Sequence, residues 1–437
     1  MSAQATLAAA QERDSTDPMR HFREHFALPR DERGEPVVYL CGHSLGLLPL
    51  AAREVLNEEL DEWARLGVEG HEHARRPWVP YHENLTPGLM ALTGAQAEEV
   101  VAMNSLTVNL HLMLASFYRP VGERTRILIE AGAFSSDRHA VTSQIAWHGL
   151  DPKSALIELA PPAGEELLPE EYIDEFLALH GEQIALVLWP GVQFRTGQAF
   201  DLARIARAAH RHGCIAGFDL AHSVGNTPLT LHTADADFAV WCSYKYLNGG
   251  PGAIGGCFIH QRHVEVLPRS DHRGSGLLPG TRLAGWWGHE PQTRFQMEPQ
   301  FHAASGAAAW QLSNPPIFAA APLIASLEIF TDAGLQRLRA KSVALTDYLD
   351  GLLRPLSPAV SVLTPSDSGR RGCQLSLRIA GGAARGRSVF DGLTARGVVC
   401  DWRFPDVIRV APVPLYNRFE DTWRFADALT QALRDTP

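Results

Sequence analysis

The sequence predicts an α/β protein whose larger domain is built on a mainly parallel sheet. Between about residues 82 and 260, short apolar runs alternate with segments whose apolar residues recur at helical spacing. Such alternation is typical of parallel strands joined by crossover helices. The run Ile184-Ala-Leu-Val-Leu-Trp189 is apolar at every position, which indicates a strand covered on both faces. Beyond about residue 320, a helix is followed by short alternating runs, and this predicts a smaller α+β domain.

The elements can be assigned in chain order from periodicity and from turn residues. The first part predicts a helical stretch at 18–27, a strand at 37–41 and a helix at 50–66. In the large domain we expect strands at 100–103, 126–130, 184–189, 214–219, 238–242 and 255–259, with helices from about 107, from about 136 and over 202–212. After a loop-rich segment at 265–320, we expect a long helix at 322–353, a strand at 374–379, a helix at 387–396, strands at 398–402 and 407–411 and a last helix at 420–433.

These elements divide the chain into three parts. Residues 1–80 form an N-terminal arm and a segment that packs with the small domain, residues 81–320 the large domain and residues 321–437 the small C-terminal domain. A chain of 437 residues is long enough for such a division. We see neither an internal repeat nor a low-complexity tract.

The composition excludes several classes of partner. A content of 45% hydrophobic and 20% charged residues is that of a globular protein. The net charge of -10 disfavours nucleic acid and anionic membranes, because both favour basic surfaces. No apolar stretch reaches the length of a membrane span, and the N-terminus lacks the pattern of a signal peptide. We therefore expect a cytoplasmic protein that binds neither nucleic acid nor membrane.

The cysteines and histidines predict neither a metal site nor a disulfide framework. The six cysteines are scattered singly, without CxxC spacing, and the nineteen histidines include no HExxH pattern. Several cysteines lie within apolar runs and are expected to be buried thiols.

The most informative stretch lies where two predicted strands end. Asp219 ends the strand at 214–219, and Lys245 follows the strand at 238–242. Ligands of parallel sheets collect at the carboxyl ends of the strands. Pyridoxal 5′-phosphate (PLP) needs a lysine amine for its Schiff base and a carboxylate that keeps its pyridine nitrogen protonated. Each residue alone is typical of an ordinary strand end, but the two together, followed by Gly-Gly-Pro-Gly, indicate a PLP site.

Further residues fall on the same predicted edge. Thr107 opens a helix, whose free N–H groups favour a phosphate, although an ordinary helix cap has the same pattern. Phe134 could stack on the pyridine ring or pack in the core. His222 could reach the phenolic oxygen of the cofactor or be a polar loop residue. Tyr244 could donate to the phosphate, relay a proton or pack at the domain boundary.

Arg409 is a charged residue within an apolar strand of the predicted small domain. The planar fork of an arginine suits a carboxylate. Its partner could be the carboxylate of an amino-acid substrate or an internal acidic residue.

With these residues in view, the chain resembles the kynureninase family of fold type I (aspartate aminotransferase-like) PLP-dependent enzymes, in the class V branch. The similarity spans about residues 36–420. The matching stretches are Gly70-His-Glu72 with Arg76-Pro-Trp78, Met103-Asn-Ser-Leu-Thr-Val-Asn-Leu-His111, Phe134-Ser-Ser-Asp137, Gly217-Phe-Asp-Leu-Ala-His222, Trp241 to Gly250, Gly285-Trp-Trp-Gly-His-Glu290, Ser313-Asn-Pro-Pro316 and Arg409-Val-Ala-Pro-Val-Pro-Leu-Tyr416.

The resemblance implies a role for each matching residue. Lys245 would carry PLP covalently, and Asp219 would bind the pyridine nitrogen. Trp286 and Asn314 would complete the phosphate site from the second subunit of a homodimer. The other residues that would line the cofactor are Leu106, Thr107, Phe134, Ser135, Ser136, Asp137, His222 and Tyr244. The residues implied for the substrate are His71, Ser313 and Asn314 near its aryl ring and Arg409 at its α-carboxylate.

The reaction implied by the resemblance is hydrolysis of the Cβ–Cγ bond of L-kynurenine to anthranilate and L-alanine, or of 3-hydroxykynurenine to 3-hydroxyanthranilate. It would serve tryptophan catabolism or NAD biosynthesis. Lys245 is expected to remove the α-proton, and Tyr244 is a candidate donor of the proton that Cβ receives. The chain departs from the family pattern in two places: a longer loop between His260 and Trp286, and Pro190 where relatives can carry a hydroxyl near the phosphate.

Two other functions remain open at this point. A cysteine desulfurase-like enzyme of the same branch would need a nucleophilic cysteine in the small domain, and Cys373 is the candidate, although its neighbours predict a strand. A PLP-binding regulator without turnover would usually carry a basic DNA-binding module, and the first 36 residues are short and of mixed charge.

Overall fold

The large domain is organised around one mixed sheet. The computed structural model of the chain describes residues 6–264, 282–297 and 299–436. Within these residues, seven strands form the sheet in the order β2-β8-β7-β6-β5-β3-β4. The five strands from β7 to β4 are parallel, and β8 is antiparallel to both of its neighbours. The strands are β2 (Val100–Ala102), β3 (Arg126–Glu130), β4 (Leu156–Leu159), β5 (Ile184–Pro190), β6 (Ile215–Asp219), β7 (Phe238–Trp241) and β8 (Gly256–Ile259).

Helices cover both faces of this sheet, as the continuous apolar strands require. Helix Leu202–Arg211 shows how the sequence produces this packing. Asp201 caps it by accepting from the backbone N–H of Arg204 at 3.0 Å, and Leu202 and Ile205 are buried against the sheet. The helices of the first 264 residues are α1 (Leu7–Thr16), α2 (Leu50–Leu66), α3 (Gly70–His73), α4 (Thr86–Thr93), α5 (Leu106–Phe117), α6 (Ser135–Trp147), α7 (Pro152–Ala155), α8 (Glu170–His180), α9 (Leu202–Arg211) and α10 (Gln261–Val264).

The small C-terminal domain has its own sheet and core. In the described residues, a four-stranded antiparallel sheet has the order β12-β13-β10-β9. A separate strand near the N-terminus, β1 (Val38–Tyr39), pairs in parallel with β11 (Val398–Val399). The remaining elements are α11 (Ile317–Ala333), α12 (Leu335–Leu353), β9 (Val360–Val362), β10 (Leu375–Ile379), α13 (Ala383–Ala395), β12 (Asp401–Arg403), β13 (Val407–Val410) and α14 (Phe419–Asp435).

The structure corrects two of the predicted elements. The single helix expected at 322–353 is two helices, α11 and α12, because Gly334 between them has a φ of 74° and the helix axes bend by 82°. The strand expected at 398–402 is divided at Cys400 into β11 and β12, which belong to different sheets. The helical stretch expected at 18–27 is the short 3₁₀ helix Arg20–His25.

Six of the described helices (α1, α3, α4, α7, α8 and α10) and two of the described strands (β4 and β9) were absent from the prediction. Helix α1 has no apolar stripe to reveal it, and α8 follows a proline-rich loop. Most of the segment between His260 and Trp286, where the sequence predicts a loop longer than that of relatives, lies outside the described residues. Among the described helices, no single one is long and apolar enough to cross a membrane; the bent pair Ile317–Ala333 and Leu335–Leu356 passes the same test of length and composition.

Close packing within the large sheet gives a stability prediction. A Cβ at Gly217 would overlap the ring of Phe238 on the adjacent strand. The substitution Gly217→Ala should therefore lower the free energy of unfolding by about 1–3 kcal/mol, measured by urea denaturation. Gly351 lies in α12 and has open space around its Cβ position, so Gly351→Ala should leave stability unchanged or raise it by up to about 1 kcal/mol. Equal effects of the two substitutions would contradict this packing.

Candidate active site

The carboxyl ends of the central strands and the starts of α5 and α6 surround one cavity. Strands β3, β5 and β6 end at its floor, and the loop after β7 forms one side. This is the edge on which the sequence placed the candidate residues. The lining residues are Leu106, Thr107, Ile129, Glu130, Ala133, Phe134, Ser136, Asp137, Leu188, Trp189, Pro190, Val192, Phe194, Asp219, Ala221, His222, Tyr244 and Lys245.

The Lys245 amine lies inside this cavity, held between a histidine and an aromatic ring. Its Nζ is 3.0 Å from Nε2 of His222 and 5.9 Å from the ring centroid of Phe134. Burial and the positive charge of Lys245 lower the pKa of His222 well below its ordinary value. His222 is therefore neutral, and its Nε2 can accept a hydrogen bond from the ammonium group.

The turn that presents the lysine is fixed from outside by a glycine of the N-terminal segment. The backbone N–H of Gly46 donates to the carbonyl of Tyr244 at 2.8 Å. A Cβ at Gly46 would overlap the carbonyl of Lys245 and the side chain of Asn248. Asn248 itself adopts a φ of 51°, which lets the chain reverse directly after the lysine. Only glycine at position 46 allows this approach.

Three carboxyl groups are gathered at the floor of the cavity. Asp219 ends β6 and accepts from the N–H of Ala221 at 2.7 Å. Burial, reinforced by the charge of Asp219, raises the pKa of Asp137 well above its usual range. Burial likewise raises the pKa of Glu130 to about 8. Burial therefore favours the neutral, protonated forms of Glu130 and Asp137.

The start of α5 provides an environment suited to an anion. Leu106 and Thr107 open this helix, whose first turn contains no acidic residue. The hydroxyl groups of Thr107 and Ser136 lie 2.8 Å apart, so the starts of α5 and α6 meet here. Unpaired backbone N–H groups and the helix dipole favour a phosphate at such a point. Ser135, by contrast, is exposed and does not line the cavity.

Arg409 lies behind one wall of the cavity. It is fully buried, and its Nη1 donates to the carbonyl of Phe194 at 2.6 Å. The ring of Phe194 meets that of Phe134 edge to face, with centroids 5.3 Å apart. The guanidinium also pairs with Asp401, so the structure gives it the internal acidic partner that the sequence left open, while placing it next to the cavity wall.

Four predicted residues lie away from this cavity. His71, Ser313 and Asn314 are exposed, and Trp286 is 43% exposed, with its Nε1 donating to the carbonyl of Arg294 at 2.9 Å. The ring of His71 packs edge to face on that of Trp78, with centroids 5.5 Å apart. A single chain therefore brings together the predicted lysine, carboxylate and hydroxyl groups but not these four residues.

The residues present fit PLP. Buried polar atoms without a partner in the described residues include Oδ1 of Asp137 and Nδ1 of His222, both in residues that line the cavity. Buried polar groups are normally satisfied, so these atoms are available to a polar ligand. The hydroxyl groups beside a helix start, the carboxylate and the amine match the phosphate, the pyridine nitrogen and the aldehyde carbon of the cofactor, respectively.

The sequence reasoning missed several residues of the site. Glu130 could have been found, because it is a charged residue at the end of the apolar strand β3, as Asp219 is on β6. Gln193 fixes Glu130 by donating to its Oε1 at 3.3 Å, while its own Oε1 accepts from the N–H groups of Arg195 and Thr196. Phe194 follows in the same irregular loop, and nothing in the local sequence identifies it.

The buried carboxyl of Glu130 gives a pH prediction for the protein without cofactor. Its pKa is about 8 in the folded chain against an ordinary value of 4.5. Between these values the folded state binds more protons than the unfolded state, so stability is lost as pH rises through this window. In the variant Glu130→Gln this loss should be absent, and the variant should become more stable than the wild type by about 2–4 kcal/mol near pH 9.

Urea denaturation at about pH 5, 7 and 9 would measure this difference. The exposed Glu165, replaced by Gln, is the matched control and should not change the pH dependence. A constant difference between Glu130→Gln and the wild type at all three values would contradict a protonated Glu130.

Comparisons with known proteins agree with this geometry. Residues 338–429 match the model of the kynureninase C-terminal domain. The chain is 56% identical over 415 residues to a kynureninase from Xanthomonas euvesicatoria, covering 95% of both chains, and 56% identical over 409 residues to one from Xanthomonas campestris, covering 93% of both.

Solved structures share the fold at low sequence identity. A variant of C-DES with glycine covalently linked to its PLP cofactor superposes with a TM-score of 0.74 at 18% identity, covering 90% of this chain and 96% of its own. The cysteine desulfurase CsdA from Escherichia coli does so with a TM-score of 0.71 at 19% identity, covering 96% and 99%. These neighbours confirm the predicted fold class. The identity to curated relatives over nearly the whole length decides the family: the chain belongs to the kynureninase family.

Proposed function

We propose that this chain is a PLP-dependent enzyme that hydrolyses L-kynurenine to anthranilate and L-alanine, or 3-hydroxykynurenine to 3-hydroxyanthranilate and L-alanine. The main observation behind the proposal is that Lys245 and Asp219 line the same cavity, in a chain that belongs to the kynureninase family. The finer assignments below, to single residues and to assembly, are part of the same proposal.

The cavity residues would hold the cofactor at both ends. Lys245 would bind it covalently, Asp219 would pair with its pyridine nitrogen, and Phe134 would cover one face of its ring. Thr107 and Ser136 would donate to its phosphate, together with the N–H groups at the start of α5. When bound, PLP withdraws electrons from the Cα of the attached amino acid, which makes the α-proton acidic.

Lys245 and Tyr244 would then move the protons of the reaction. The Lys245 amine would remove the α-proton, with neutral His222 at 3.0 Å keeping the amine oriented. Water adds to the γ-carbonyl, the Cβ–Cγ bond breaks, and Cβ needs a proton. Tyr244 lines the cavity, and burial raises the pKa of its hydroxyl group, so this group stays protonated and can act as that donor.

Arg409 and a second subunit would complete the substrate site. Arg409 would bind the α-carboxylate at the edge of the cavity that Phe194 lines. His71, Ser313 and Asn314 are exposed in one chain, and Trp286 is partly exposed. We propose that a homodimer brings Trp286 and Asn314 of each chain to the phosphate site of the other, and His71, Ser313 and Asn314 to the aryl ring.

We further propose that the enzyme works in the cytoplasm, in tryptophan catabolism or in NAD biosynthesis through the hydroxylated product. The division into an N-terminal segment (1–80), a large domain (81–320) and a small domain (321–437) is part of the proposal. It is supported by the pairing of β1 with β11, which ties the N-terminal segment to the small domain.

The alternative of a cysteine desulfurase is disfavoured by Cys373. Its side chain is buried, at 1% exposure, and burial raises the pKa of its thiol to about 12. A nucleophilic cysteine has a lowered pKa and an accessible sulfur. Release of sulfide from cysteine that was lost in Cys373→Ala would nevertheless favour this alternative.

The first test of the function is the lysine. The variant Lys245→Ala should lose anthranilate production from kynurenine by more than about 1,000-fold, because it removes both the covalent link and the base. Anthranilate fluorescence measures the product, and the absorbance of the bound cofactor reports the covalent link. The exposed Lys153, replaced by Ala, should keep full activity.

The result separates the proposed functions. An active Lys245→Ala variant would contradict the role of the lysine. A wild-type protein that binds PLP but releases no anthranilate would favour the regulator without turnover.

A second test addresses the shared site. Lys245→Ala and Asn314→Ala homodimers should both be poorly active, but a hybrid of the two would contain one intact site, so random mixing should restore about a quarter of wild-type activity. The matched control mixes Lys245→Ala with Asp219→Ala. Both of these changes affect the same chain's part of the site, so this mixture should restore nothing. Absence of recovery in the first mixture would contradict the shared site.

A further inference from the structure

The carboxylate of Asp401 already forms an ion pair with Arg409, the arginine that is proposed to bind the substrate. Its Oδ2 accepts from Nη2 of Arg409, from Oγ of Ser44 at 2.7 Å and from Nη2 of Arg403 at 2.9 Å. The same Nη2 of Arg409 also donates to Oγ of Ser44, at 3.2 Å. One oxygen atom therefore accepts hydrogen bonds from two guanidinium groups and a hydroxyl group. Donors of this kind are typical of a carboxylate-binding site.

The cluster around Asp401 has a single net positive charge. His43 lies 3.5 Å from Oδ2 of Asp401 and is completely buried, and burial lowers its pKa to about 3, so it is neutral. Burial raises the pKa of the neighbouring Cys41 thiol to about 11, so it is neutral as well. The charged groups that remain are two arginines and one carboxylate. Their net positive charge would be neutralised by one further carboxylate.

This cluster adjoins the PLP cavity. Arg409 donates to the carbonyl of Phe194, which lines the cavity. The positive charges of Lys245 and, next, of Arg409 both lower the pKa of His222, after burial. An amino acid bound to the cofactor beside Lys245 could therefore place its α-carboxylate at Arg409, where it would meet Asp401.

We propose that Asp401 is the resident counter-ion of the substrate-carboxylate site, and that it limits how tightly the site binds any α-amino acid by sharing Arg409 with the α-carboxylate. Asp401 then sets specificity: with the carboxylate weakly bound, recognition depends on the aryl part of the substrate. This inference rests on the proposed function, because it takes Arg409 as the residue that binds the carboxylate.

Two effects of removing Asp401 oppose each other, and their sizes decide the direction. Loss of the carboxylate removes one fixing contact of Arg409, but Arg409 is fully buried and keeps its bond to the Phe194 carbonyl. Loss of the negative charge leaves two uncompensated cations, and at an effective dielectric constant of about 20 one charge within a few ångströms changes anion binding by more than about tenfold. The charge effect is the larger.

The test measures binding of L-alanine, the simplest α-amino acid and the proposed product, to the holoenzyme by the absorbance change of its cofactor. Asp401→Asn should lower the dissociation constant of L-alanine by about tenfold. Arg403→Gln should raise it by about fivefold or more, because it removes one of the two cations. Ethylamine, which is alanine without its carboxylate, should bind equally to the wild type and to both variants.

A matched control and a second measurement complete the design. Asp406 is also held by two arginines, Arg195 at 3.1 Å and Arg378 at 2.7 Å, but neither of them is Arg409, so Asp406→Asn should leave L-alanine binding unchanged. Thermal unfolding of Asp401→Asn should occur at a lower temperature than that of the wild type, because a buried arginine loses its counter-ion.

Unchanged or weaker binding of L-alanine by Asp401→Asn, with ethylamine binding unaltered, would overturn the proposal and make Asp401 a residue that only orients Arg409. If Asp401→Asn does not fold, Arg403→Gln decides alone: unchanged or tighter binding of L-alanine by this variant would overturn the proposal. A wild-type holoenzyme that makes no anthranilate from kynurenine would instead contradict the proposed function.

Discussion

The balance of charge around the Lys245 amine is the constraint on which the rest of the site depends. One amine shares a cavity with three carboxyl groups and a histidine. In a buried setting, ionised groups of equal sign are costly, and the structure avoids that cost by keeping Glu130 and Asp137 protonated and His222 neutral.

The scaffold holds these groups by connections between distant segments. The lysine turn is contacted by Gly46 from the N-terminal segment, and Ser44 of the same segment is bonded to Asp401 and Arg409 of the small domain. The loop of residues 41–46 therefore links the cofactor end of the site to its carboxylate end. A movement of the small domain would therefore change the position of the lysine turn through this loop.

Much of the fold could be predicted from the sequence, because strand ends and helix starts are local properties. Asp219 and Lys245 end or follow apolar runs, and parallel strands bring such positions together. The break at Gly334 could not be predicted in this way, since one glycine inside an apolar helical pattern costs only about 1 kcal/mol and is often tolerated. Its φ of 74° depends on tertiary packing.

The parts of the site that escaped prediction depend on contacts between residues far apart in the chain. Asp401 is a charged residue inside the strand predicted at 398–402, and only its contacts with Ser44 and Arg409 give it a role. The assignments of His71, Trp286, Ser313 and Asn314 came from family resemblance, and a single chain offers no local signal for them because these residues lie outside its cavity.

The pairing of β1 with β11 has a consequence for how the chain is made. Val38 pairs with Val398, and Asp14 caps the last helix by accepting from the N–H groups of Phe419 and Glu420. In both pairs the N-terminal partner is synthesised long before its C-terminal partner. Bringing together residues so far apart in the chain is slow. During synthesis the N-terminal segment therefore stays unpaired until the small domain has been made, and Val38 and Leu40 remain outside the hydrophobic core in which they are later buried.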